Sequence, residues 1–249
     1  MLPVGPLMVE HRLIERMIAL LGREAKRIRA TGKADTDFVL AGIEFIRLYA
    51  DRSHHGKEEE ILFRELKTKP LSAKHRLVLE ELEEEHVQGR KAVARLATVR
   101  ERVIKGEAAA IRDLAALLED LAKFYPAHIE KEDRDFFLPC MDYFTEDERA
   151  RLLEEEDAFD RNLLTAHFEG FLDAREGKPS AASAPVELEG AAATRYGCMA
   201  CGYIYDPRMG DAAQHIPPGT PFDQLPDEWI CPHCHVTRKM FIAQGGNRP

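Results

Sequence analysis

The sequence has one tryptophan in 249 residues, 8% aromatics and no excess of positive charge. Lys and Arg number 35 against 44 Asp and Glu, a formal net charge of −9. A nucleic-acid binder normally carries a basic footprint, so that class is set aside. No apolar run approaches the roughly 20 residues needed to span a bilayer, and no membrane association is expected. The opening stretch MLPVGPLMVEH lacks a basic start leading into an apolar segment and a small-residue cleavage site. No secretory signal is read there, and a cytoplasmic location is expected. Cysteine is scarce and uneven: of five, four fall in the last fifth of the chain as CMAC and CPHC. In a cytoplasmic protein such pairs point to a metal before a disulfide. The fifth, Cys140, follows Phe137-Leu138-Pro139 and reads as a small buried hydrophobe.

What is present is 45% hydrophobic and 32% charged, enough for a sizeable core and a soluble surface. Residues 1–175 are rich in Leu, Ala, Glu, Arg and Lys with a helical apolar period, predicting helices over 6–30, 36–67, 72–104, 108–138 and 146–175. Gly32 and Gly106 sit where helices need to stop, Ser72 can cap the third, and Thr145-Glu146-Asp147-Glu148 is a capping box. Short connections imply antiparallel neighbours, hence an all-α up-down four-helix bundle with a fifth helix. Residues 176–194, dominated by Ala, Ser, Pro and Gly, read as a flexible linker spanning on the order of 25 Å. Residues 195–249 have turn-rich composition and no helical period; so small a unit needs a staple such as a metal.

The helical part repeats itself. His11 opens one half, followed by His54-x-x-x-Glu58-Glu59-x-x-Leu62-Phe63; His86 opens the other, followed by His128-x-x-x-Glu132-Asp133-x-x-Phe136-Phe137. The intervals are 43 and 42 positions. Residues four apart share one helix face, so each half can present an imidazole and a carboxylate together. His11, His86 and His128 each lie on an apolar stripe. A lone histidine on such a face is more often a satisfied core residue than a ligand. Four of them with two inward carboxylates reverse that, because burying carboxylates without a cation costs several kcal/mol each. In HHGKEEE, at 54–60, the apolar stripe favours His54 and Glu58 facing inward and puts His55, Glu59 and Glu60 at the rim or in solvent, Glu59 close behind the ligands.

This order resembles the hemerythrin-like, or HHE cation-binding, domain over about residues 7–140. The resemblance implies two iron ions in the bundle, oxo-, hydroxo- or carboxylate-bridged, held by His11, His54, Glu58, His86, His128 and Glu132, with Glu58 and Glu132 bridging. The pattern departs from true hemerythrins, which carry a histidine four residues after the third; Arg90 stands there. His55, His75 and His167 are the candidates to replace it, His75 foremost because it shares a helix face with His86. Asp133 occupies the usual offset of the late carboxylate, but the internal repeat favours Glu132. A lost histidine would leave one iron position more open, favouring turnover of O2 or peroxide over reversible carriage.

In the tail, Cys198-x-x-Cys201 and Cys231-x-x-Cys234 supply four thiolates from two tight loops, suited to tetrahedral iron or zinc. The stretch CGYIYDPRMGD, then PGTPFDQLPDEWICPHC, is similar to rubredoxin over nearly its whole length, with Tyr203, Tyr205, Phe222, Trp229 and Phe241 matching its aromatic core. The resemblance implies one iron passing one electron at a time. His235 stands where rubredoxins usually have glycine in a left-handed turn. His215 and His233 read as loop residues.

A di-iron bundle joined to a rubredoxin resembles the pairing in rubrerythrins. That likeness implies an oxidoreductase reducing H2O2 or O2, a role in oxidative stress, an external rubredoxin reductase-type donor and a homodimer. Two other readings stand beside it: a binder or redox sensor of O2, NO or iron, and a structural metalloprotein with zinc in the tail.

Overall fold

The computed structural model describes residues 1–159, 169, 172, 175–176 and 194–244. The chain divides into two compact units, Leu13–Pro179 and Ser180–Pro249, the latter grouped with Met1–Arg12. The expected linker lies outside the described residues except at its ends, as does most of the expected fifth helix beyond residue 159.

Helix α1 is unbroken over Val4–Thr31 and stops at Gly32, where φ is +66°. Helix α2 covers 36–66, with the Asp35 carboxylate accepting from the Phe38 N–H at 2.9 Å. Its hydrogen bonding changes along its length. Thr36–Phe45 is α-helical, Ile46–His55 and Glu58–Phe63 are π-helical, and Arg64–Leu66 returns to α. Helix α3 runs over Ala73–Ile104, and Ser72 Oγ accepts from the His75 N–H at 3.1 Å. Helix α4 covers 110–140: Ala110–Glu130 is α-helical, Lys131–Phe136 π-helical and Phe137–Cys140 α-helical. Helix α5, Glu146–Phe159, opens on the capping box: the Thr145 N–H donates to Glu148 at 2.9 Å and the Glu148 N–H to Thr145 Oγ1 at 3.3 Å. The helices fall where the apolar period puts them, within a few residues.

The buried stripes explain the bundle. Val39, Ile43 and Ile46 of α2 meet Val93, Leu96 and Val99 of α3, and Leu114, Leu118 and Leu121 of α4, in one continuous core with Ile14, Met17 and Leu21 of α1. Each such side chain contributes roughly 1.5–3 kcal/mol of burial. Leu62, Phe63, Leu79, Leu82, Phe136 and Phe137 are buried further along. On α2 and α4 the histidines come before this second set, and on α3 after it, as antiparallel helices require. Polar residues thus sit mid-bundle between two apolar layers. Helix α5 packs on α2: Arg64 pairs with Glu155 at 2.9 Å, and a Cβ on Gly56 would come 2.8 Å from Phe159. Cys140 is fully buried and its thiol pKa is pushed up to about 12 by that burial.

The C-terminal unit is built on a three-stranded antiparallel sheet, β1 (Arg195–Cys198), β2 (Ile204–Tyr205) and β3 (Phe241–Gln244), in the order β2-β1-β3. Tyr196 faces Tyr205 on one side and Ala243 on the other. The core is aromatic: Tyr196 stacks on Phe222 at 4.1 Å, and Trp229 sits 5.5 Å from Tyr205 and 5.2 Å from Phe241. The buried Trp229 indole N–H donates to Asp211 Oδ2 at 3.0 Å, satisfying the one polar atom that its burial would orphan.

Candidate metal centres

Two groups of ligand-type side chains lie mid-bundle. His11, His54, Glu58 and Glu132 bring one donor atom each within 4.8 Å of one another, and His55, His86 and His128 form a second such group. All seven are buried. Helix spacing makes the first contacts: His54 Nε2 lies 3.2 Å from Glu58 Oε1, and His128 Nε2 lies 3.3 Å from Glu132 Oε1, each four residues apart. The carboxylates also join the groups. Glu58 Oε2 is 3.3 Å from His86 Nε2, and Glu132 Oε1 is 3.7 Å from the same atom.

The imidazoles are aimed inward by carboxylates behind them. His86 Nδ1 is 2.7 Å from Glu59, His128 Nδ1 is 2.8 Å from Glu85, and His55 Nδ1 is 3.5 Å from Asp51. A carboxylate on Nδ1 selects the tautomer whose Nε2 lone pair points away from it, the usual support for a metal-binding histidine. Cations complete the ring. Arg90 donates to Asp51 at 2.7 Å and to Glu59 at 2.5 Å; Lys131 donates to Glu85 at 2.6 Å. Burial alone would raise the pKa values of Asp51, Glu59 and Glu85, but these hydrogen bonds hold all three below the ordinary carboxylate range.

The donor set fits cations. Nε2 of His86 and of His128 is buried and makes no hydrogen bond of good geometry among the described residues, though each lies 3.3 Å from a glutamate oxygen. A nitrogen and a carboxylate oxygen at that separation need a shared proton or a cation between them. Burial pulls the His86 pKa down, but bonding to Glu132 and Glu59 and the field of Glu58 raise it to about 10. Without a cation, a proton therefore takes its place.

Two expectations are corrected. His55, expected at the rim or in solvent, is 4% exposed and stacks on His86 at 3.8 Å. The reason is the π-helical stretch Ile46–His55. Consecutive residues of an α-helix point about 100° apart, but the wider π turn reduces that angle, so His54 and His55 both face the bundle axis. His75, the foremost replacement ligand by helix face, instead bonds Tyr143 Oη at 2.9 Å near the start of α3 and joins neither group. His55, one of the three candidates to stand in for the missing histidine, lies with His86 and His128. Asp133 is partly exposed and outside both groups, Glu59 lies behind His86, and His167 lies outside the described residues. Sequence reasoning missed Asp51, Glu85, Arg90 and Lys131. Local spacing could have signalled only Asp51, four residues before His55; Glu85, Arg90 and Lys131 meet their partners across helices.

In the C-terminal unit the four cysteine sulfurs converge. Cys198 and Cys234 Sγ are 3.8 Å apart, and Cys201 and Cys231 Sγ 3.6 Å. A tetrahedral site with metal–sulfur bonds of about 2.3 Å has edges of about 3.8 Å, so the cage fits an iron or zinc ion. The two loops repeat each other. The N–H groups of Cys201 and Tyr203 serve the sulfurs of Cys198 and Cys201, and those of Cys234 and Val236 serve Cys231 and Cys234. Hydrogen bonds from the other three thiols push the Cys198 pKa down, while Cys234, acting as donor, is pushed up. The left-handed position is Gly202 at φ +78° in one loop and His235 at φ +59° in the other.

A family model described as hemerythrin HHE cation binding domain matches residues 2–138, and the rubredoxin model matches 195–241. A probable rubredoxin of Methanothermobacter thermautotrophicus is 50% identical over 58 residues, 23% of this chain and 92% of that protein. Probable Rubredoxin-1 of Methanocaldococcus jannaschii is 60% identical over 40 residues, 16% of this chain. A rubredoxin of Synechocystis is 46% identical over 54 residues, 22% of this chain. The matched stretch spans about half the length of the latter two, at 50% and 47%.

Proposed function

The chain belongs to the hemerythrin HHE cation binding domain family and ends in a rubredoxin domain, and from that pairing we propose an iron oxidoreductase that reduces H2O2 or O2 with electrons relayed through its own Cys198, Cys201, Cys231 and Cys234 iron. The observation that carries this is one chain holding both a buried histidine–carboxylate centre and a four-cysteine cage. A carrier needs no electron supply. A catalyst of H2O2 + 2 H⁺ + 2 e⁻ → 2 H2O does, and a four-cysteine iron delivers one electron at a time.

His11, His54, His55, His86 and His128 would hold two iron ions, with Glu58 and Glu132 between them. When bound, the pair supplies two closely spaced redox equivalents. The chain's own residues do the rest. Glu58 and Glu132 each reach both histidine groups, so a shift of either carboxylate can follow the changing charge. Asp51, Glu59 and Glu85 keep the imidazoles oriented. Phe63 and Phe136, fully buried, exclude bulk water on one side. An external rubredoxin reductase-type donor, a cytoplasmic setting that keeps the thiols reduced, and a homodimer complete the proposal. Sedimentation showing a monomer with electron transfer intact would remove the dimer.

The test is direct. The protein is reduced anaerobically, given substoichiometric H2O2, and the visible bands of the cysteine-ligated iron are followed. Rapid return of colour, much slower in Glu58→Ala, supports the reading. Reversible O2 uptake with no electrons consumed would transfer it to the second reading, a non-enzymatic binder or sensor of O2, NO or iron. The presence of His55 beside His86 and His128 favours that alternative, since it withdraws the argument from a missing histidine. A colourless protein carrying zinc in the cysteine cage after iron-replete expression would sink both.

A further inference from the structure

Arg90 is the only cation among the described residues seen to join the carboxylates behind two different imidazoles. Its Nε donates to Asp51 Oδ1 at 2.7 Å, and Asp51 Oδ1 lies 3.5 Å from His55 Nδ1. Its Nη2 donates to Glu59 Oε1 at 2.5 Å, and that same oxygen is 2.7 Å from His86 Nδ1. The two rings are stacked at 3.8 Å with planes 12° apart. We propose that Arg90 is the positioning residue of the three-histidine position, setting His55 and His86 as ligands through Asp51 and Glu59, with His55 as the third ligand. This rests on the reading of the helical unit as a metal site.

The geometry requires a fork. Asp51 and Glu59 sit about two turns apart on α2, each needing to face a different imidazole. A planar guanidinium presents fixed N–H groups to two carboxylates at once, whereas an ammonium acts as a point charge. Arg90 also offsets the mutual repulsion of the two carboxylates. With the pair anchored, His86 Nδ1 has its acceptor outward and its Nε2 lone pair inward, while the Asp51 carboxylate lies 3.5 Å from His55 Nδ1, close enough to hold that ring against His86. His128 provides an internal control, since its carboxylate, Glu85, is held by Lys131 instead. A cavity of about 220 Å³ lined by Arg90, Asp51, His55, Gly89 and Tyr125 opens beside this fork, roomy enough for a free guanidinium ion once the arginine is shortened.

The experiment loads full-length protein anaerobically with Fe(II) and measures the iron retained against a competing ferrous chelator. The cysteine-ligated iron is counted by its visible bands after a final oxidation and subtracted, and far-UV circular dichroism monitors folding. Arg90→Ala is expected to weaken retention of one iron equivalent by roughly 10–100-fold. Low-millimolar guanidinium should restore it, and Arg90→Lys should restore it only in part. His55→Ala should lose the same equivalent, with no rescue by guanidinium. If Arg90→Ala does not fold, Arg90→Gln is read in the same way. Wild-type retention in the arginine variants overturns the proposal, as does loss that guanidinium leaves unchanged in a protein of native helicity. Neither peroxide nor an electron donor enters this measurement, so its failure is separate from failure of the oxidoreductase reading.

Discussion

At the scale of single residues, placement depended on helix register. The repeat His-x-x-x-Glu picked out Glu132, and the structure puts its carboxylate 3.3 Å from His128 while Asp133, one residue on, is partly exposed. Glu132→Ala is therefore expected to lose bound iron, and Asp133→Ala to keep most of it, as read by metal analysis after anaerobic loading. Equal losses would mean that the register differs. A second prediction concerns His235, whose φ of +59° places a side chain in the left-handed region. That conformation costs about 1–2 kcal/mol outside glycine; glycine in turn gives back roughly 0.5–1 kcal/mol through unfolded-chain freedom. His235→Gly should thus stabilise the C-terminal unit by about 0.5–1 kcal/mol, seen as a higher temperature for bleaching of its visible bands.

At the scale of elements, the π-helical stretches are what an α-periodic reading could not anticipate. Ile46–His55 and Glu58–Phe63 in α2 and Lys131–Phe136 in α4 carry His54, His55, Glu58 and Glu132 between them. π-Helical turns cost helix stability and recur at functional sites, where they re-aim side chains. Helix α5 lies over the first of these regions, and its role shows at Gly56. A Cβ there would lie 2.8 Å from Phe159 Cζ, closer than real Cβ contacts come, although a ring can shift. Gly56→Ala should destabilise the helical unit by roughly 1–3 kcal/mol through overpacking. Adding Phe159→Ala should recover much of that loss in thermal unfolding; additive losses instead would place the strain elsewhere.

At the scale of the whole molecule, the buried charges give a pH signature that metal should abolish. In metal-free protein the His86 pKa is raised to about 10. Its contribution is complete below the unfolded value of about 6.5 and is lost as pH rises through the folded value. Asp51, Glu59 and Glu85 are shifted down, so theirs is present above about 4.5 and lost as pH falls through their folded values. His55 is shifted the other way, well below its ordinary value by burial, so its contribution is lost as pH falls through about 6.5. The metal-free helical unit should thus be most stable near pH 6.5 and melt at lower temperature at pH 9.5. The iron-loaded protein should not show the alkaline loss, because the cation replaces the His86 proton. A flat profile in the metal-free protein would show that His86 is neutral there.

The division of labour between sequence and tertiary structure follows from range. Apolar periods, caps and the cysteine spacing are local, so the helices, the two-unit composition and the cysteine cage could be read along the chain, as could the two His-x-x-x-Glu pairs. The place of His55 beside His86 and His128 could not. It depends on a change of helical pitch within α2, and on Arg90 and Glu59 meeting across 31 positions of sequence. Those contacts exist only once helices pack. Arg90 looked like the gap in a ligand pattern, and the folded bundle pairs it with Asp51 and Glu59, the carboxylates beside His55 and His86. The sequence by itself decided which residue types could bind metal; packing decided which faces turn inward, and it buries both of two adjacent histidines, His54 and His55.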